Sequence, residues 1–248
     1  MRLALLLALL LTIKIDSSAQ SFRQLQLEFP RVRAAYIEKE EVLRSCFKEA
    51  GLAYPPRAIF IRIFKKEAIL EVWVRNAGGC FQLLKRYAIC STSGELGPKR
   101  KRGDSQMPEG FYQINDFNPQ STFYLSLGLN YPNRSDRILK EGRNPGGAIY
   151  IHGSCVTIGC VPITDDKIKE LYIMAVEARN SGQKSIPVHI FPCRLDSAGM
   201  AFLKNHYPAN PELLSFWDNL AEGFRLFEER KIPPQPRVDD RGRYLFYR

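Results

Sequence analysis

The spacing of apolar residues along the chain changes period twice. From Arg31 to Ala50 apolar positions recur every three or four residues, and Gly51 follows them, which predicts an amphipathic helix that ends there. β-branched and aromatic runs then predict strands, the first three separated by the short turns KKE and NAGG, as in an antiparallel meander. The predicted strands cover residues 58–64, 68–74, 81–90, 110–115, 122–129, 147–153 and 186–192.

Helical spacing returns in the second half of the chain. A helix is predicted from Asp165 onward, with Gly182 past its end, because acidic residues open it and its apolar residues share one face. Another is predicted over 211–231, where apolar residues keep mixed spacings of three and four before two prolines. The tail that follows is rich in proline and charge, so we expect it to be extended. These patterns predict an α+β fold: a strand-rich core with an N-terminal helix, one inserted helix and C-terminal helices.

The first residues have the order of a secretory signal peptide. Arg2 precedes the apolar run 3–11, and small residues end the segment, which predicts a signal peptide over 1–19 and an exported protein. Lys14 and Asp16 interrupt the run well short of the ~20 apolar residues of a membrane span, although an uncleaved anchor stays an alternative.

For an exported protein, the net charge and the cysteine content indicate what it can bind and whether it can contain disulfides. The 248 residues include 36 Lys and Arg against 26 Asp and Glu, a net charge of +10. For an exported protein this excess favours an anionic wall or membrane surface over nucleic acid, and a basic face that only aids solubility is the alternative. Export permits disulfides among the six cysteines, but a core of this size does not need them to fold, so one thiol can be kept free. The cysteines are Cys46, Cys80, Cys90, Cys155, Cys160 and Cys193.

The sequence IHGSCVTIGC, residues 151–160, is the candidate for chemistry. His152 closes a predicted strand, and Cys160 follows eight residues later, with Gly153 and Gly159 allowing the chain to fold back between them. An imidazole within hydrogen-bond reach of a thiol is what thiol catalysis requires. The glycine before Cys160 also lets the backbone approach a substrate and turn amide groups toward a developing oxyanion.

Other interpretations of this segment stay open or are disfavoured. His152, Cys155 and Cys160 offer zinc only three ligands, at a spacing unlike the usual pairs, so we predict no metal. A disulfide between Cys155 and Cys160 in a loop without catalytic function stays open. A papain-like arrangement is excluded, because there the cysteine lies near the mature N-terminus and precedes its histidine by a long interval.

The segment resembles the active-site motif of the YkuD-type L,D-transpeptidases, in the branch where His-Gly and Gly-Cys are separated by a short loop. Residues 91–114, STSGELGPKRKRGDSQMPEGFYQI, are similar to the second family signature, and YPNRSDR, 131–137, matches the same branch. The resemblance covers 58–195 and implies a YkuD-like catalytic domain with antiparallel or mixed sheets. A helical segment, 20–57, precedes it, and a helical extension with a tail, 196–248, follows.

The resemblance implies roles for the motif residues. Cys160 is the implied nucleophile, His152 its base, and the backbone carbonyl of Gly153 the group that orients the imidazole. The backbone of the oxyanion site is implied at Gly159 and Ile158, with the Cys160 amide. Cys155 has no implied role and either packs or pairs with another cysteine.

A substrate contact is implied in the other two signatures. Arg137 is the first candidate for binding a substrate carboxylate, because a guanidinium does so through two parallel hydrogen bonds. A structural ion pair of Arg137 with Asp136 or another acid is the alternative. Arg134 and Gly110 are further candidates.

The function implied by the resemblance is acyl transfer on the stem peptides of peptidoglycan, in the periplasm or cell envelope of a bacterium. The Cys160 thiolate would form a thioester that an amine of another stem resolves to a crosslink, or that water hydrolyses. Hydrolysis includes the release of a lipoprotein linked to the wall. No cofactor is implied, and the membrane is contacted only through the signal peptide. The competing hypothesis is a non-catalytic wall-binding protein in which all six cysteines are paired.

Overall fold

The computed structural model describes residues 20–247. The predicted signal peptide, 1–19, lies outside the described residues and stays a prediction. Within the described part of the chain, no helix is both long enough and apolar enough to cross a membrane.

The described residues form six helices and ten strands. The helices are α1 (Phe22–Leu27), α2 (Pro30–Glu49), α3 (Arg134–Ile138), α4 (Thr164–Asn180), α5 (Ser197–His206) and α6 (Pro211–Arg230). The strands are β1 (Ile59–Phe64), β2 (Ile69–Arg75), β3 (Phe81–Ala88), β4 (Gly110–Asn118), β5 (Ser126–Leu129), β6 (Tyr150–His152), β7 (Val161–Pro162), β8 (Ile186–Phe191), β9 (Arg237–Val238) and β10 (Tyr244–Leu245).

Eight strands form one mixed sheet in the order β3-β2-β1-β8-β4-β5-β6-β7. The antiparallel meander of β1, β2 and β3 is confirmed. Parallel pairing occurs between β1 and β8 and between β6 and β7, and the remaining ladders are antiparallel. The predicted α+β class with a mixed sheet is therefore confirmed.

Both faces of the central strands are covered, which explains why β1 is apolar at nearly every position. Ile61 and Ile63 of β1 pack in the cluster that contains residues of α2 and α4. Phe60 and Phe64, which alternate with them, pack with aromatic residues of α6 on the other side. The charged exception, Arg62, is 1% exposed and pairs with the carboxylates of Glu71 and Glu228.

The structure corrects the predictions in three respects. The strand predicted over 122–129 begins only at Ser126, because Tyr124 takes a left-handed φ of +73° that a strand cannot contain. The tail is not simply extended: β9 and β10 pair, and Tyr244 lies against Phe111 with ring centroids 4.8 Å apart. The short helices α1, α3 and α5 and the two-residue strand β7 were not among the predicted elements.

A buried lysine holds the loop between β3 and β4 against the end of β1. Lys65 Nζ lies 3.0 Å from the carboxylate of Glu109, whose other oxygen accepts a hydrogen bond from Trp217 Nε1 at 2.7 Å. The same ammonium donates to three loop carbonyls, those of Glu95, Gly97 and Met107, at 2.7 to 3.0 Å. Because this loop forms one wall of the cleft described below, the core fixes the position of that wall.

Candidate active site

The parallel pair β6 and β7 brings the two ends of the motif together. The ladder aligns Ile151 with Val161 and His152 with Pro162, so the same register places Cys160 beside Tyr150. Cys160 therefore directly precedes β7 and lies beside β6, the strand that ends at His152, two residues away in register. Among the hydrogen bonds of residues 20–247, however, none joins the Cys160 thiol to His152. The thiol instead contacts the Tyr150 amide at 3.4 Å and the Ala148 carbonyl at 3.6 Å. Catalytic hydrogen bonds are often long without substrate and tighten when it binds.

The imidazole of His152 is fixed by its surroundings. It is 1% exposed, and the ring of Phe123 stacks on it with centroids 4.6 Å apart. Its Nδ1 lies 2.5 Å from the carbonyl oxygen of Gly153. Since a carbonyl only accepts hydrogen bonds, Nδ1 carries the proton of this bond, and Nε2 is left with the lone pair that a general base needs.

Burial changes the pKa values of both candidate groups in a way that favours their neutral forms. It lowers the pKa of His152 below its ordinary value, and the hydrogen bond to Gly153 opposes this. It raises the pKa of the Cys160 thiol, against the opposing effects of the Tyr150 amide and the charge of Lys99. The two groups are therefore a neutral thiol and a neutral imidazole at neutral pH.

Gly153 has no room for a side chain. A Cβ there would lie 2.8 Å from the carbonyl oxygen of Phe123 and would also meet the carboxylate of Asp165. That carboxylate accepts a hydrogen bond from the Ser154 amide at 2.7 Å, so the turn after His152 is tied to the first turn of α4. The position of the carbonyl that orients His152 thus depends on the absence of a side chain.

We expect Gly153→Ala to reduce kcat/KM roughly ten- to a hundredfold, because the turn must shift and carry the Gly153 carbonyl away from Nδ1. The same overpacking should reduce the free energy of unfolding by about 1–3 kcal/mol. Steady-state kinetics and urea denaturation measure the two effects. Gly78→Ala is the control, since a Cβ there would lie 3.4 Å from the flexible side chain of Asn76. Unchanged kinetics in Gly153→Ala would contradict the role of this carbonyl.

The predicted oxyanion residues differ in how their groups are placed. Gly159 has φ +133°, and a Cβ there would lie 2.8 Å from the carbonyl oxygen of Gln106, so only glycine fits. Its amide donates to Thr157 Oγ1 at 3.0 Å and is engaged. The amides of Cys160 and Ile158 have no hydrogen-bond partner among the described residues. The side chain of Ile158 is 83% exposed.

The second cysteine of the motif is accounted for by a disulfide. Cys155 pairs with Cys90 at the end of β3, with the Cα atoms 5.6 Å apart, whereas Cys160 is a free thiol. The alternative of a Cys155–Cys160 disulfide is therefore wrong. Within residues 20–247, His, Cys, Asp and Glu side chains do not form a group of three or more that could hold a metal ion.

A cleft of about 690 Å³ opens beside Cys160. Lys99 and Arg102, from the loop between β3 and β4, line one part of it, and Gly146 and Gly147 line another. The sequence interpretation did not select either cation. The available signal was the run KRKR inside the second signature, but a run of charges does not reveal which of its members turns inward.

The structure does not bring the predicted substrate contacts to this cleft. Arg134 is an exposed partner of Asp240 at 2.7 Å, and Arg137 is exposed on α3. The ion pair of Arg137 with Asp136 is not among those of the described residues, since Asp136 lies 3.6 Å from Arg100 instead. Gly110, with φ +145°, packs against the hydroxyl groups of two buried tyrosines, Tyr112 and Tyr244. The placement of Arg134, Arg137 and Gly110 therefore does not support their prediction as substrate contacts.

Comparison with known proteins places the chain among relatives of one kind. The model of the YkuD L,D-transpeptidase catalytic domain matches residues 58–190. Two curated proteins named "Putative L,D-transpeptidase YafK", from Escherichia coli strain K12 and Escherichia coli O157:H7, are each 39% identical over 189 residues, which cover 75% of this chain and 73% of the relative.

Solved structures with similar folds come from two other bacteria. The helical cell shape determining protein Pgp2 of Campylobacter jejuni is 20% identical, with a TM-score of 0.44 over 76% of this chain and 75% of that one. Bd1075 of Bdellovibrio bacteriovorus is 26% identical, with a TM-score of 0.39 over 56% and 49%. The match to the family model over more than half of the chain, together with the Escherichia coli relatives, shows that this protein belongs to the YkuD family of L,D-transpeptidase catalytic domains.

Proposed function

We propose that the protein is an exported cysteine acyltransferase that acts on peptidoglycan stem peptides through a thioester on Cys160. The observation that carries the proposal is the free thiol of Cys160, which lines a basic cleft and lies just before β7, the strand that pairs with the strand of His152. The orientation of His152, with Nδ1 bound to the Gly153 carbonyl, supplies a base of defined tautomer beside that thiol.

The proposed reaction has two steps, acylation and deacylation of Cys160, and His152 accepts and returns a proton in each. Cys160 Sγ attacks the carbonyl carbon at the L-centre of a stem diamino acid, and its proton passes to Nε2 of His152. The Cys160 amide stabilises the negative oxygen of the tetrahedral intermediate. When that intermediate collapses, the C–N bond breaks, the leaving amine takes the proton from His152, and the thioester remains on Cys160. An acceptor amine or water then attacks the thioester by the reverse proton movements and frees the thiol.

The acceptor decides between a crosslink and hydrolysis. The direct experiment incubates the purified protein with a disaccharide tetrapeptide, with and without a second stem as acceptor, and identifies products by mass spectrometry. A crosslinked dimer identifies transpeptidation, whereas a shortened stem identifies hydrolysis. Peptidoglycan that carries a linked lipoprotein tests release of that lipoprotein by the hydrolytic route. No product from any of these substrates would contradict the proposed function.

The competing function, a non-catalytic wall-binding protein, requires its cysteines to be paired. Four thiols in the structure are free: those of Cys46, Cys80, Cys160 and Cys193. A free Cys160 beside a cleft supports the enzymatic proposal over the binding one. Mapping of reactive thiols in the native mature protein separates the two, because the binding hypothesis predicts three disulfides.

The resting state of neutral thiol and neutral imidazole predicts the pH dependence of the enzyme. The pKa of His152 is lowered, so kcat/KM should hold down to below pH ~6.5, the ordinary imidazole pKa, and fall only where the base becomes protonated. The pKa of Cys160 is raised, so its alkylation by iodoacetamide should keep increasing with pH through and above about 8.5, the ordinary thiol pKa. Peptide mapping distinguishes Cys160 from the exposed Cys80. A rate of Cys160 alkylation that stays constant between pH 5 and 8 would indicate a preformed thiolate and contradict this state.

A further inference from the structure

The cleft beside Cys160 contains two cationic side chains and no acidic one among its lining residues. Lys99 and Arg102 both come from the loop between β3 and β4, and the rest of the lining is uncharged. A cleft lined by charges of one sign concentrates ligands of the opposite sign. The part of the cleft lined by Lys99 and Arg102 is therefore suited to binding an anionic group.

Lys99 is held in a fixed position with part of its hydrogen-bonding capacity unused. Its side chain is 6% exposed, and its Nζ donates to the carbonyl of Lys101 at 3.0 Å and pairs with the carboxylate of Asp104. An ammonium has three donors, so one N–H remains beyond these two partners. Its Cε would lie 3.2 Å from a Cβ at Gly146, so the absence of a side chain at Gly146 leaves the space that the lysine occupies along the cleft wall.

Asp104 is a rigid support for this lysine. Its carboxylate accepts hydrogen bonds from the amides of Arg100, Lys101 and Gln106 at 3.0 to 3.1 Å, in addition to the lysine. These four donors, against the opposing effect of burial, lower its pKa below the ordinary value. The aspartate is therefore ionised at neutral pH, and its partners keep it in place, which positions the Lys99 ammonium at the cleft.

Arg102 is fixed at its backbone and free at its guanidinium. Its amide donates to the carbonyl of Asn144, which also lines the cleft, at 2.9 Å. Its side chain is exposed and makes no hydrogen bond or ion pair with any residue in 20–247. A guanidinium offers five donors in a planar fork that matches a carboxylate, and all five remain available here.

We propose that Lys99 and Arg102 form a subsite for a free carboxylate of the substrate, next to the bond that Cys160 attacks. This inference rests on the proposed acyl transfer and specifies the substrate further. A stem peptide offers such a carboxylate in two places: at the C-terminus of the leaving amino acid and on the side chain of the diamino acid. In either case a stem with its carboxylate blocked is a poor substrate.

The test compares three synthetic stem peptides: one with both carboxylates free, one amidated only at the C-terminus and one amidated only on the diamino acid side chain. Loss of a charge-assisted bidentate contact should increase KM roughly ten- to a hundredfold for whichever amide removes the recognised carboxylate, with kcat changed much less. The amide that shows this increase identifies the source of the carboxylate.

Variants test whether Lys99 and Arg102 cause the difference in KM between the free and the amidated peptides. Arg102→Gln and Lys99→Gln should each reduce the ratio of KM values between the amidated and the free peptide, and Arg102→Lys should restore part of it. Lys101→Gln is the matched control, because Lys101 belongs to the same basic run but is exposed, lies 3.8 Å from Glu141 and does not line the cleft. Arg102→Gln changes an exposed side chain without partners, so it keeps the test valid if Lys99→Gln fails to fold.

The outcomes separate the subsite from the reaction. Equal KM values for all three peptides, or discrimination that persists unchanged in Arg102→Gln and in folded Lys99→Gln, would overturn the subsite while acyl transfer stands. Absence of turnover with all three peptides would overturn the proposed function and the subsite with it. Discrimination lost in these variants and kept in Lys101→Gln is the result we expect.

Discussion

Replacing Cys160 with alanine should abolish acylation by a carbapenem, a general acylating probe for this family, and should reduce turnover of stem peptides at least about ten-thousandfold. The reason is chemical: without the thiol no thioester forms, and the oxyanion donor and the binding cleft supply only the residual rate. Intact-protein mass spectrometry detects the carbapenem adduct, and product analysis measures turnover.

Two further cysteine variants make this result specific. Cys80→Ala removes an exposed free thiol and should leave both readouts unchanged. Cys155→Ala removes a partner of the disulfide but leaves the nucleophile, so the carbapenem adduct should still form. Equal loss of acylation in Cys155→Ala and Cys160→Ala would show that Cys160 acts through the structure of the loop rather than as the nucleophile.

Removing the Cys90–Cys155 disulfide should have the largest effect on stability. The two cysteines are 65 residues apart. Closing a loop of this length reduces the conformational entropy of the unfolded chain, which increases the free energy of unfolding by up to about 4 kcal/mol. The bond also anchors the loop 153–160 to the end of β3, so its loss should decrease kcat/KM by releasing the segment between His152 and Cys160. The double variant Cys90→Ser/Cys155→Ser is the best choice, since neither cysteine of the pair is left as an unpaired thiol that could couple to Cys160.

Thermal denaturation and steady-state kinetics of the double variant measure these effects. Wild-type protein treated with dithiothreitol should show the same decreases, whereas Cys80→Ser should show neither. If the double variant and the reduced wild type unfold at the temperature of the oxidised protein, the disulfide does not have the structural role assigned to it.

The elements that sequence could predict are those with a strong local pattern. The strands β1 and β2 are dominated by β-branched and aromatic residues, and β3 combines aromatic residues with leucine. The helix α4 opens with Asp165 and Asp166 at its positive end. Such signals depend only on neighbouring residues. The two-residue strand β7 has no pattern of its own and exists because Val161 pairs with Ile151 of β6. The helix α5 was missed because it contributes only one buried residue, Leu203, to the core.

In the candidate site, too, the residues of the contiguous motif could be predicted from sequence, whereas their distant partners could not. His152, Cys160 and the glycines between them lie within one segment, so their chemistry could be inferred from spacing and resemblance. The partner of Cys155 is 65 residues away, and sequence alone does not give disulfide connectivity. Lys99 and Arg102 lie in an irregular loop whose course depends on the buried contacts of Lys65, so their place in the cleft needed the structure.

The central claim is that catalysis proceeds through a thioester on Cys160, and trapping that intermediate tests it most directly. The protein is mixed with a disaccharide tetrapeptide, quenched with acid within seconds and analysed by intact-protein mass spectrometry and peptide mapping. We expect an added mass equal to the mass of the disaccharide tetrapeptide minus that of the free terminal amino acid, located on Cys160. One terminal amino acid should be released per acylated enzyme, and neither signal should occur in Cys160→Ala. An acyl group located on another residue, or turnover that persists in Cys160→Ala, would contradict the central claim.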